Sequence, residues 1–369
     1  MRVENIADRE QWNRFVEAQP SSNVTQTYEW GELGHHLASD VLRLGAVAED
    51  GELHGAMLVL VSQAPVLRRP YLYVPRGPVV ADPTSPALAA LVEWAGAEAR
   101  KRGAFMLKVE PNVHDGDPAW LAALAGLGFR RNRFATHPRR SWVLDIRPSE
   151  AELLAGMKEK WRYNIRLAGR RGIEVREAAA PEDVDTFYML YQETAARDGF
   201  FIHPKQHYAD ILRLYGERDA AVLLLAEYEG TPIAGLIAVR CGDVTTYMFG
   251  ASSNVHRNRM PNHLLQWTAI RWAKAHGCTL YDFRAIAEVL DPNEDLYSLY
   301  TYKQGFGGYS TLALETHDKP YNAALYWTYE RLLALKRERD RRRHLKELRQ
   351  RGGGKREETA VPAETAAKE

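Results

Sequence analysis

Cysteine is scarce in this 369-residue chain: Cys241 and Cys278 are the only two, and both fall in apolar, strand-like surroundings. Two isolated thiols exclude a disulfide framework and a cysteine-rich metal site, and they suit buried side chains in a reducing compartment. No apolar run approaches the roughly 18 residues that a spanning helix requires. The opening MRVENIADREQW also lacks the apolar segment of a secretory signal. The expected location is the cytoplasm, with access to the inner face of the membrane. Net charge is nearly absent too, with 49 Lys and Arg against 48 Asp and Glu, so the overall excess of positive charge that would mark a DNA-binding protein is missing.

The familiar catalytic signatures are missing as well. The chain has no GxSxG, no HExxH, no Walker loop, and no GxGxxG opening a helix after the first strand. Its 12 histidines are scattered without metal-ligand spacing. Any chemistry is therefore expected to rest on positioning and charge stabilisation, with no metal and no bound cofactor.

What is present is enough apolar residue, 45%, to build two cores. Apolar alternation predicts strands at 41–48, 54–62 and 70–74, a helix from Ala87 to Arg102, a strand FMLKVE, a helix WLAALAGLG and a strand at 141–146. Ser149 and Glu152 form a capping-box pattern that opens a second run of elements. That run comprises one helix through position 171, strands at 173–175, 220–228, 231–240 and 243–251, helices at 181–196 and 261–276, and a strand at 279–283. The two halves read as a diverged duplication of one mixed α/β unit. The predicted domains are 1–147 and 148–335. A basic helix extension follows at 336–349, with eight basic and three acidic residues, and a disordered tail at 350–369. A final strand near 309–315 leads into a long helix at 319–349, with Pro320 in its first turn.

Four stretches carry chemistry-bearing residues. YLYVPRGPVV presents Arg76 from a proline-constrained loop, either as part of a structural turn or facing an anion, and KVEPN places Glu110 at a strand end, where a carboxylate can orient an amine. The helix MKEKWRYNIRLAGRRG gathers Lys158, Lys160, Arg162, Arg166, Arg170 and Arg171; positions 162, 166 and 170 share a face that is either solvated or tracks phosphates. In the strand TTYMFGASS, Tyr247 and Phe249 are expected on one face, with Asp282 of the neighbouring YDFR either a hydrogen-bond anchor or a site carboxylate. Lys303 precedes a glycine-rich turn in LYTYKQGFGG, where it is solvent-exposed, contacts a phosphate, or stabilises a developing oxyanion.

In order, QTYEWGEL, YVPRGPV, KVEP, WRYNIRLAGRRGIEV, ARDGF, YMFGASS, PNHLLQWTAIRWA, YDF and YKQGFGG resemble the FemA/FemB/FemX family across residues 4–335. The resemblance implies two tandem GNAT-like domains of mixed sheet flanked by helices. It implies transfer of Gly, Ala or Ser from charged tRNA to the stem-peptide side-chain amine of lipid II or UDP-MurNAc-pentapeptide, by a monomer or homodimer. It makes Lys303 and Glu110 catalytic and places Arg197, Phe201, Tyr247 and Phe249 at the substrate; Arg76 and Asp282 are expected there from their own positions, and the clustered cations Lys158, Lys160, Arg162, Arg166 and Arg170 are expected to contact tRNA. Phe201 and Phe249 stand where the family carries tyrosine. Leu33 and Gly34 occupy a stretch where it often carries a diphosphate-binding lysine. A CoA-dependent acyltransferase, an aminoacyl-tRNA protein transferase and a non-catalytic binding protein are the alternatives. The 252–262 stretch, SSNVHRNRMPN, lacks the glycine pattern of a CoA-pyrophosphate loop.

Overall fold

A computed structural model describes residues 1–35, 38–132, 134–178, 180–292, 294 and 296–357. Its first half contains β1 (Arg2–Asn5), α1 (Arg9–Glu17), α2 (Tyr28–Gly34), β2 (Asp40–Val47), β3 (Leu53–Gln63), β4 (Pro70–Val74), β5 (Val79–Val80), α3 (Pro86–Arg102), β6 (Met106–Val109), α4 (Pro118–Gly126) and β7 (Arg130–Asn132). The second half begins with β8 (Arg140–Asp145), α5 (Glu150–Gly156), α6 (Glu159–Arg170), β9 (Ile173–Glu177), α7 (Glu182–Asp198) and α8 (Lys205–Gly216). It continues with β10 (Ala221–Tyr228), β11 (Thr231–Cys241), β12 (Val244–Ser252), α9 (Pro261–Ala275), β13 (Leu280–Ala285), α10 (Tyr297–Lys303), β14 (Tyr309–Leu312), β15 (Thr316–Pro320) and α11 (Ala323–Glu357).

Two mixed sheets result, ordered β1-β2-β3-β4-β6-β15-β7 and β14-β8-β13-β12-β11-β10-β9, with β5 added to β3. Each contains one parallel pair, β4 with β6 and β12 with β13. The sheets exchange strands and so do not divide at the boundary expected at 147/148. β8 lies between β14 and β13 of the second sheet, and β15 returns to the first sheet between β6 and β7. The side chains explain the exchange. Trp142, Leu144 and Ile146 complete the second core, while Asp318 of β15 meets Lys108 of β6 at 3.0 Å in a buried ion pair.

The strands alternate as the sequence pattern requires. On β11, Ile237 and Val239 face a core shared with α1, α2, α7 and α8, whereas Leu236 and Ala238 face the core beneath α9. Those four helices lie between the sheets, so one apolar core joins the two halves. Tyr215 of α8 seals it with a 2.7 Å hydrogen bond between its hydroxyl and that of Thr27.

Some helix limits differ from expectation. The predicted helix through 171 breaks after the capping box, because buried Met157 adopts an extended conformation and Lys158 becomes the residue preceding α6. Helix α8 was not anticipated. Pro320 closes β15 instead of opening the last helix, and α11 continues through the expected tail start to Glu357. Residues 358–369 of that tail lie outside the described residues. Among the described residues, no helix is long and apolar enough to cross a membrane.

Candidate active site

A cavity of about 360 Å³ opens between the sheets, bounded by the segment before α2, the Arg76 loop, residues 137–139, β13 and β14. It sits where the parallel pair of the second sheet parts. β12 and β13 pair only at Val244–Leu280, Thr245–Tyr281 and Thr246–Asp282, after which β12 runs on to Ser252. The carboxyl end of β13 therefore faces the opening.

Arg76 is delivered to this opening by buried Gln26. The Gln26 side chain accepts from Leu58 N (2.9 Å) and donates to Pro75 O (2.6 Å), which also accepts from Thr25 Oγ1 (3.0 Å). Trp12 Nε1 in turn donates to Gln26 O at 2.7 Å. A Cβ on Gly77 would stand 2.6 Å from the Gln26 side chain, so only glycine fits beside it. Arg76 itself has φ +50° and donates to Pro138 O. The QTYEW and VPRGP motifs thus form a single physical unit.

Opposite Arg76 stand Asp282, Arg284 and Lys303. Lys303 is buried at the end of α10 and donates through Nζ to Ala285 O at 2.7 Å. Burial pulls its ammonium down to about 7; Arg284 acts in the same sense, and Asp282 opposes both. Burial raises Asp282, against the Arg284 N bond of 2.6 Å and the charges of Arg284, Lys303 and Arg76. Burial lowers Arg284, whose guanidinium donates to Met248 O at 3.2 Å. Three cationic side chains around one carboxylate leave an electropositive centre, suited to an anionic substrate group or to negative charge that develops during reaction. Arg284 was absent from the sequence reading. Its position two residues after Asp282 on a strand was the available signal.

Glu110 was expected to orient or deprotonate an amine, but it is closed off from that role. Its carboxylate accepts from Tyr73 Oη (2.7 Å), Thr136 N (2.6 Å) and Thr316 Oγ1 (3.0 Å), with His137 Nδ1 at 3.1 Å. Burial favours the acid, yet the His137, Tyr73 and Thr136 contacts outweigh it and hold Glu110 at about 2. A carboxylate with that affinity for protons is a poor base. His137, one of the scattered histidines, lines the cavity.

Lys303, Glu110 and the remaining candidates lie outside the cavity lining. Tyr247 and Phe249 do not share a face: Tyr247 packs with the core under α9, and Phe249 packs against Tyr191 and Tyr208. A bulge between Ile237 and Ala238 skips Met248 and reverses the alternation. Arg197 ties the end of β12 through Ser252 O (2.9 Å) and Asn254 Oδ1 (3.1 Å), and Phe201 is fully exposed. On α6, Arg162 turns back to Met157 O and Ala155 O, leaving the face expected for 162, 166 and 170 incomplete. Lys158, Lys160, Arg166 and Arg170 are exposed. Among the described residues, no cluster of three His, Cys, Asp or Glu side chains is arranged to hold a metal.

Two GNAT-like units joined by one core, with a cationic cleft at the parting of a parallel strand pair, define a tandem acyltransferase. The FemAB family matches residues 7–116, and the acetyltransferase (GNAT) domain matches residues 155–304. The lipid II:glycine glycyltransferase of Staphylococcus saprophyticus subsp. saprophyticus is 27% identical, covering 89% of this chain and 95% of that protein. The enzyme of the same name from Staphylococcus aureus is 26% identical, covering 86% and 93%. The crystal structure of FemX superposes with a TM-score of 0.82 at 24% identity, covering 89% of this chain and 99% of that one. A tandem GNAT protein from the clavulanic acid biosynthesis pathway shares the fold at a TM-score of 0.53 and 15% identity, covering 87% and 99%. By these similarities the chain resembles the FemAB family.

Proposed function

We propose that this enzyme transfers an amino acid from aminoacyl-tRNA to the stem-peptide side-chain amine of a peptidoglycan precursor, building interpeptide bridges. The observation that carries the reading is the Arg76–Asp282–Arg284 cluster lining the cleft, with buried Lys303 held on Ala285 of the same lining. The relatives' names, lipid II:glycine glycyltransferase, favour glycine as donor over alanine or serine, and lipid II over the UDP-linked acceptor. With a lipid-linked acceptor the enzyme works as a peripheral protein at the inner membrane face.

Acyl transfer to an amine places negative charge on the ester carbonyl oxygen. A protonated Lys303 offsets that charge, and removal of such a group costs roughly 10²–10³ in turnover. Asp282 keeps Lys303 and Arg284 from repelling each other out of position, while Arg76 supplies a guanidinium for the precursor's phosphates. The exposed cations Lys158, Lys160, Arg166 and Arg170 contact tRNA phosphates, whereas Arg162 serves the α5–α6 junction.

The test is transfer of labelled amino acids from a mixture of charged tRNAs to lipid II and, separately, to the UDP-linked precursor, with acetyl-CoA and a peptide as controls. Label on either precursor is the expected result and names donor and acceptor together. Label on neither, from folded protein, overturns the reading.

A further inference from the structure

The buried Glu110 network sets the state of a histidine that faces the cleft. Tyr73 Oη donates its single proton to Glu110 Oε2 at 2.7 Å, while the same Tyr73 oxygen lies 2.7 Å from His137 Nδ1, and Nδ1 lies 3.1 Å from Glu110 Oε2. With the tyrosine proton committed to the carboxylate, Nδ1 faces two oxygens and has to carry a hydrogen of its own. A bare Nδ1 lone pair would be repelled by the carboxylate. Neutral His137 is thereby fixed as the Nδ1–H tautomer, with its lone pair on Nε2. Nε2 makes no hydrogen bond to the described residues, and the ring borders the cavity beside Arg76, whose guanidinium is anchored on the next residue, Pro138.

We propose that His137 is the catalytic base of the transfer, its Nε2 accepting a proton from the acceptor ammonium while Glu110 and Tyr73 act as positioning residues that hold its tautomer. The inference rests on the acyl-transfer reading above. An ammonium has no lone pair and cannot attack, so the first proton moves from nitrogen to Nε2. The freed nitrogen pair then forms the C–N bond, and the carbonyl π pair moves to oxygen near the cationic cluster. Collapse restores C=O and breaks the bond to the ribose oxygen, which leaves with the second surplus proton from nitrogen. The imidazolium then returns the first proton to solvent. The ionisable groups around His137 are Glu110 at the end of β6, Tyr73 on β4, Arg76 in the β4–β5 loop, and Arg139 beside it in the chain; His114, Asp282 and Arg284 line the same cavity. Glu110 is the anion that stabilises the imidazolium as it forms.

The experiment compares wild type with His137→Asn, whose amide N–H can still donate to Glu110 but which has no basic nitrogen. His137→Gln serves as a second variant should the first fail to fold. Donors are charged tRNAs. The acceptors are the UDP-linked muramoyl pentapeptide with a lysine side chain and the same peptide with that side chain ending in an aminooxy group, which is uncharged at neutral pH and needs no base. The expected loss on the lysine acceptor is about 10²-fold or more, shrinking to less than about threefold on the aminooxy acceptor. Equal losses on both acceptors would assign His137 a structural or binding role and overturn the proposal, as would no loss on either. If wild-type enzyme transfers to neither acceptor, nor to lipid II, the acyl-transfer reading fails and the proposal falls with it.

Discussion

The indole of Trp161 lies on the α-carbon of Gly305: a Cβ built on that glycine would stand 2.1 Å from the ring. Trp161 Nε1 also donates to Tyr302 O at 3.0 Å, and Lys158 N donates to Gly305 O at 2.9 Å. The start of α6 therefore clamps the segments on either side of Lys303, and the WRYN and YKQGF motifs set the lysine together.

Gly305→Ala should force the indole off its seat, destabilise the protein by about 1–3 kcal/mol, and depress activity through a displaced Lys303. Trp161→Ala should relieve the clash. A double-mutant cycle by chemical denaturation checks this, with a coupling of at least ~1 kcal/mol expected between adjacent residues. Additive effects would mean that the two residues do not share the contact.

Lys303→Met should separate activity from stability. Turnover should fall roughly 10²–10³-fold with the loss of the oxyanion's cation. Stability behaves differently, because burial lowers the folded-state value to about 7 from the ordinary 10.5. Below that window both states hold the proton and the penalty for burying the charge is complete. Through the window the unfolded chain binds more protons, so stability rises with pH. Methionine removes that dependence, so the variant should unfold no more easily than wild type at pH 6 and show a flatter stability profile from pH 7 to 10. Unfolding curves at a series of pH values read both effects.

Glu110 works in the opposite direction. Its folded-state value, about 2 against an ordinary 4.5, contributes stability that is complete above that ordinary value and is lost as pH falls between the two. Glu110→Gln should be less stable at neutral pH, because a charged acceptor of several hydrogen bonds is gone, and its stability should fall less steeply between pH 4.5 and 2 than that of wild type. Parallel acid-unfolding curves for variant and wild type would contradict the network described here.

The local sequence determined a good deal. Two-residue alternation separated Ile237 and Val239 from Leu236 and Ala238, the Ser149–Glu152 pair opened α5, and Pro86 and Gly103 bracket α3, because each of these depends only on neighbours along the chain. Arg76, Asp282 and Lys303 were legible as candidates because charged residues at strand ends and glycine-rich turns need a reason to be there. Tertiary structure decided the rest. A bulge set by pairing with β11 placed Tyr247 and Phe249 on opposite faces, and non-local pairing carried β8 and β15 across to the other half's sheet. Glu110 changed role for the same reason. Its donors come from β4, from residues 136–137 and from Thr316 at a separation of 206 residues, and a carboxylate's charge state and freedom to act depend on which groups surround it in space.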